Sequence, residues 1–96
     1  MKHYIIDSTF VRPITEFRDL VPEHRSYLQM RIDDGVILYS GPKATRDGEV
    51  IVARAESDER IKELLDSEPY GKLGHAKYTI VSFTPTMKNP LLDRWV

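Results

Sequence analysis

The stretch VILYSGPKATRDGEVIVARA, residues 36–55, decides the fold. Its ends, VILYSG (36–41) and EVIVARA (49–55), are rich in β-branched and apolar residues, and Asp47-Gly48 supplies turn chemistry between them. This predicts two consecutive strands with no helix between. Upstream, Gly35 has the place of a C-terminal cap for a helical region from about Thr15 to Asp34. Pro22 interrupts that region, and proline suits a first turn better than a helix interior, so the better-defined helix starts near Pro22. Before it, HYIIDSTFV (3–11) reads as a strand ended by Pro13. Downstream, Ser57 is a predicted N-cap, with Asp58 and Glu59 in the first turn where the helix dipole favours carboxylates. Ile61, Leu64 and Leu65 then form one apolar stripe, stopped by Pro69, Gly71 and Gly74. AKYTIVSFT (76–84) is the last strand.

The order is βαββαβ. Its common solution is the ferredoxin-like plait, an α+β fold with a four-stranded antiparallel sheet and both helices on one face. Here both faces of the sheet are apolar in part: Tyr4, Ile6 and Phe10 alternate with Ile5 and Val11, and Tyr78 and Ile80 with Val81 and Phe83. A sheet apolar on both sides wants a cover on both sides. The helices cover one, and a second copy of the chain is the simplest cover for the other. The expectation is a homodimer forming a dimeric α+β barrel, against a monomer with a few exposed apolar side chains.

The 96 residues make one domain, with a core of about residues 3–86 and a C-terminal tail of 87–96. A net charge of -1 argues against nucleic acid or acidic lipid as partner. No apolar run is long enough to span a membrane. Without cysteine there is no disulfide, thiolate metal site or cysteine nucleophile, and the reading is a cytoplasmic protein. No phosphate loop, dinucleotide fingerprint or metal-spaced histidine pair is present, so neither cofactor nor metal is expected. The tail TMKNPLLDRWV carries Leu91, Leu92, Trp95 and Val96, which are apolar for a terminus and predict packing against something.

Among residues that carry chemistry, His24 sits in the first turn of its helix and shares a face with Tyr27 and Leu28. Partial burial and the positive end of the dipole both favour a neutral imidazole, the form a general base needs. The alternative is a packed histidine with a satisfied ring. Glu68 continues the stripe of Ile61, so its carboxylate either faces the core or belongs to a helix end in water; Asp66 should be solvated. A carboxylate beside His24 would fix its tautomer and raise its basicity. Ser40 stands at a strand end in YSGP without the G-x-S-x-G surroundings of a nucleophile. His3 and His75 fall near strand ends, and Arg12 and Arg25 are candidate partners for an anion.

Taken together, "RP" after the first strand, PEHRSYL, GVILYSGP, EPYGKLG and a final strand ending FTP resemble the YciI-like (YCII-related) family, from about Tyr4 to Pro85. The resemblance implies a small dimeric α+β barrel with a histidine–aspartate site, and a branch of the family is associated with dehalogenation of chlorinated aromatics. By position the histidine falls on His24, the serine of the "SGP" motif on Ser40, and the aspartate of the usual "DPF" or "DPY" on Glu68, where this chain departs by one methylene. The function expected is cofactor-free isomerase or lyase chemistry on a small, aromatic ligand through a His–acid pair. A ligand-binding or structural module without turnover is the alternative.

Overall fold

The computed structural model covers residues 1–96 and has the βαββαβ order. The strands are β1 (Lys2–Phe10), β2 (Ile37–Pro42), β3 (Gly48–Ala55) and β4 (Ala76–Phe83), and the main helices are α1 (Val21–Asp33) and α2 (Asp58–Ser67). The sheet is antiparallel throughout, in the order β2-β3-β1-β4, so the first and third strands are central. This is the plait expected from the sequence.

The local chemistry differs from expectation in four places. The region before Pro22 is two 3-10 turns, Ile14–Glu16 and Arg18–Leu20, rather than continuous helix. Pro22 takes its place in the first turn of α1, where its missing N–H costs nothing. Ser57 stands at the N-cap of α2, but its side chain makes no capping hydrogen bond. Between β2 and β3 the left-handed residue is Arg46 (φ 64°) rather than Gly48. Gly48 serves a different purpose, because a Cβ there would lie 1.8 Å from the Ser8 carbonyl oxygen. It lets β3 start hard against β1. Finally, Pro69 does not simply end the second helix: Pro69–Lys72 forms a separate turn, α3.

Gly35 does cap α1 as its position suggested. It adopts φ 80°, and the N–H groups of Gly35 and Val36 donate to Ile32 and Arg31, the paired bonds that satisfy a helix's last carbonyls.

The core lies between the sheet and α1 and α2. Tyr4, Ile6, Ile51 and Ala53 from the central strands meet Leu28 of α1 and Ile61, Leu64 and Leu65 of α2. A smaller cluster of Phe17, Tyr70 and Ala76 closes the other end of the sheet. On the sheet's opposite face, Val81, Ile5, Val52 and Tyr39 align in register across all four strands. Val81 and Tyr39 are 56% and 64% exposed, and Phe83 lies exposed beside them. The apolar second face read from the sequence is therefore real and uncovered in the single chain.

The tail folds onto its own chain. Trp95 lies under the Arg54 guanidinium, 4.4 Å from ring centroid to Cζ, and Arg54 Nη1 donates to the Trp95 carbonyl at 3.1 Å. Leu91 and Met87 stay exposed.

Candidate functional site

His24 is the fourth residue of α1, and its ring is turned inward with Leu28 one turn on; both are buried. A buried imidazole needs partners for both ring nitrogens. It has them, and both are carboxylates. Nδ1 bonds to Glu68 Oε1 in a buried contact between residues 44 apart in the chain. Nε2 lies 2.5 Å from Glu49 Oε1. The ring is also stacked on Tyr70, with centroids 3.8 Å apart and planes 8° from parallel.

Glu68 is where the two alternatives for that residue meet. Its backbone has left the helix (φ −69°, ψ 127°), yet its side chain is 1% exposed. The helix has ended, and the carboxylate faces the core all the same. It serves as the N-cap of α3, accepting from the N–H groups of Tyr70 and Gly71, both at 3.2 Å. The Tyr78 hydroxyl donates to Oε2 at 2.5 Å. A side chain at Gly71 would prevent this, since its Cβ would lie 2.5 Å from the Tyr78 hydroxyl oxygen. With His24, four donors converge on one carboxylate. That is what an ion buried this deeply requires. Asp66 is exposed, as expected.

Glu49 was not singled out from the sequence, although a signal was there. Strand periodicity puts it in the inward row with Ile51, Ala53 and Ala55, and a carboxylate heading such a row needs a partner. Its side chain is 16% exposed.

The electrostatics follow. Burial pushes the His24 pKa down, but the hydrogen bonds and charges of Glu49 and Glu68 outweigh it and lift it to about 9. His24 is thus an imidazolium at neutral pH. Burial and the helix dipole alone would favour a neutral ring, but the direct Glu68 contact raises its basicity, as expected of a carboxylate beside His24, and Glu49 adds a second charge that the sequence did not reveal. For Glu68, burial acts upward, while His24, Tyr78 and the Tyr70 amide hold it below the ordinary carboxylate range. Burial and the nearby carboxylates Glu49 and Glu68 push the Tyr70 hydroxyl up to about 12.

His24 and Glu49 form part of the wall of a cleft of about 430 Å³, with Ser40, Tyr70, Arg25 and Arg46 around them. Glu68 lies behind His24 and takes no part in that wall. The structure thus brings His24 and Glu68 into contact and puts Ser40 on the same cleft, in neither carboxylate–imidazole contact. Arg25 reaches the cleft and Arg12 does not, while Arg46, unforeseen, does. A cleft of about 520 Å³ on the far side, along Tyr27, Arg31 and Arg60, contains none of these groups. His3 packs edge-on against Phe83, and His75 stacks on Phe17 at 4.6 Å. No cluster of histidine, cysteine, aspartate or glutamate is arranged to hold a metal ion, and no helix is long and apolar enough to cross a membrane.

The four-stranded antiparallel sheet with its helices packed on one face places the chain among compact α+β domains. The YCII-related domain model matches residues 2–84, and the chain belongs to that family. Its fold is similar to the solved structure of a 5-chloro-2-hydroxyhydroquinone dehydrochlorinase from Burkholderia phenoliruptrix in complex with 2,5-dihydroxybenzoquinone. The TM-score is 0.69 at 18% sequence identity, over 88% of this chain and 94% of that one. No curated protein sequence matches this chain.

Proposed function

We propose that this protein is a small-molecule enzyme of the isomerase or lyase type, working by proton transfer through the His24–acid cluster on a small aromatic ligand. The observation that carries the reading is the clamped ring. His24 has both nitrogens on carboxylates at the wall of a cleft that Phe10, Leu28 and Tyr70 also line. Such a site holds a proton ready in fixed geometry, as general acid–base chemistry requires. Arg25 and Arg46 at its edge suit a phenolate or another anion. Ser40 supplies a hydroxyl on the same wall and acts as a positioning group for a polar substituent. The similar dehydrochlorinase acts on a chlorinated hydroquinone, which supports a hydroxylated aromatic as ligand. No cofactor or metal enters this reading.

The protein acts in this reading as a cytoplasmic homodimer. Its cysteine-free sequence supports the compartment, and the apolar row Val81, Ile5, Val52 and Tyr39 supports pairing through the open sheet face.

One observation favours the rival reading of a binding module without turnover: neither nitrogen of His24 is free. The two part in one assay. The protein is incubated with 5-chloro-2-hydroxyhydroquinone while chloride release is followed, and 2,5-dihydroxybenzoquinone binding is measured by spectral titration. Chloride release lost in His24→Asn supports the enzyme. Binding of the quinone with no turnover of any chlorinated hydroquinone tested supports the module.

A further inference from the structure

His24 has been the natural candidate for the group that meets the substrate. The placement of its partners points elsewhere. Glu68 is sealed behind the ring, with four donors on its two oxygens. His24 is itself only 6% exposed and has both nitrogens engaged. Glu49 is the one carboxylate of the three groups that both touches the imidazole and lines the cleft, and it is the most exposed of them. Its backbone is fixed by the close approach of Gly48 to Ser8, so the carboxylate is aimed by the sheet and not by a loop.

We propose that Glu49 is the catalytic base of this site and that His24 is a positioning residue acting through it. This rests on the proton-transfer reading above and names the group that performs it. Tyr78, Glu68, His24 and Glu49 form a continuous hydrogen-bonded line from the core to the cleft. The imidazolium holds the Glu49 carboxylate in one orientation, leaving its other oxygen for the ligand. Glu49 takes a proton from an acidic C–H or O–H of the substrate, and the bonding pair stays on the substrate as an enolate or phenolate. For an isomerisation the same proton returns at a different atom. For an elimination the leaving group departs with its bond pair, and Glu49 releases the proton to solvent. Nothing is oxidised or reduced in either course.

The opposite assignment, His24 as base, predicts opposite effects of one substitution. Charged or ionisable groups facing His24 are Glu49 from β3, Glu68 and Tyr70 from the α2–α3 segment, and Arg25 and Arg46 at the cleft edge. Glu49→Gln removes one of the two carboxylates that keep the ring protonated and loosens Nε2. An imidazole base would then work better at neutral pH.

The test uses 5-nitrobenzisoxazole, a neutral probe that reports a positioned base whatever the natural substrate. A base takes its C–H proton, the pair forms the nitrile, the N–O bond breaks, and a coloured phenolate leaves. The intact protein should open the probe at neutral pH. Glu49→Gln should lose roughly 10²–10⁴-fold of that rate, the range a positioned general base typically contributes. Glu49→Asp should restore part of it, and Glu59→Gln on the outer surface should leave it unchanged. Melting curves confirm that each variant is folded. A rate that rises in Glu49→Gln, or is equal in the two proteins at any level including zero, overturns the assignment. The chlorohydroquinone assay stands apart from this one. A working base with no chloride release would retire the dehalogenation reading and keep Glu49.

Discussion

The His24 imidazolium lies flat on the Tyr70 ring, 3.8 Å between centroids, and both residues belong to the same cleft wall. A cation over an aromatic face is held by the ring's quadrupole as well as by packing. Tyr70→Phe keeps the face and should leave the His24 pKa near its present value. Tyr70→Leu removes the face, and the His24 pKa should fall, as followed by ring-proton NMR titration. An unchanged pKa in Tyr70→Leu would assign the protonated state to the carboxylates alone.

The clamped pair makes stability depend on pH in a definite direction. The folded pKa of His24, about 9, stands above its ordinary 6.5. Its stabilisation is therefore complete below pH 6.5 and is lost as the pH rises through about 9. A shift of this size corresponds to roughly 3 kcal/mol shared within the cluster. Glu68 runs the other way: its depressed pKa stabilises above the ordinary 4.5 and is lost as the pH falls through the folded value. Denaturant midpoints measured across pH should show a plateau between these limits. In His24→Asn the fall between pH 6.5 and about 9 should vanish, leaving only the loss above pH 10 that the raised tyrosines cause.

Glu68→Gln keeps the shape of the side chain but removes its charge. The buried imidazolium then has only Glu49 as counter-ion. Breaking one partner of a buried pair typically costs about 3–5 kcal/mol, which should appear as a lower urea midpoint, with His24 losing its proton at lower pH. Glu68→Asp restores the family's usual residue but shortens the reach by one methylene. It should rank between Gln and the native chain. An equal or higher midpoint for Asp would mean that the four donors follow a shorter carboxylate without strain.

Light scattering should report close to twice 11.1 kDa for the purified protein. Val81→Lys alters a side chain already 56% exposed in the single chain. A monomer would tolerate it within about 0.5 kcal/mol, whereas a dimer paired through that face should fall to half its mass. Trp95→Ala should raise hydrophobic-dye binding by baring the sheet end beside His3 and Arg54, and should leave mass unchanged unless the tail joins the interface.

The fold was legible because its signals are local. Each strand announces itself by β-branched residues and each helix by a stripe or a cap, so the element order follows without long-range information. The same periodicity set Ile61, Leu64 and Leu65 in the core, where they lie. The site was legible only in halves. His24 and Glu68 stood out as polar residues on buried stripes, but periodicity carries no distance between two helices. Glu49 hid at the end of a strand, where polar residues are ordinary, although its inward parity was readable. The Tyr78 hydroxyl and the backbone amides of α3 were out of reach. Their bonds to Glu68 exist only because the chain turns sharply at Pro69 and Gly71 leaves room.

Glu68 also bears on how the chain reaches its native state. Its donors come from α1, from α3 and from β4, and the His24 bond closes a separation of 44 residues. A carboxylate cannot be sealed away from water before those segments arrive together. The cluster should therefore assemble with the docking of the helices on the sheet. Local helix formation comes early and cheaply; closing this loop comes late. Kinetically, the cleft has no existence separate from the fold. A refolding signal from Trp95 at the chain's end and one from His24 protonation should differ in time, and the histidine should be the slower.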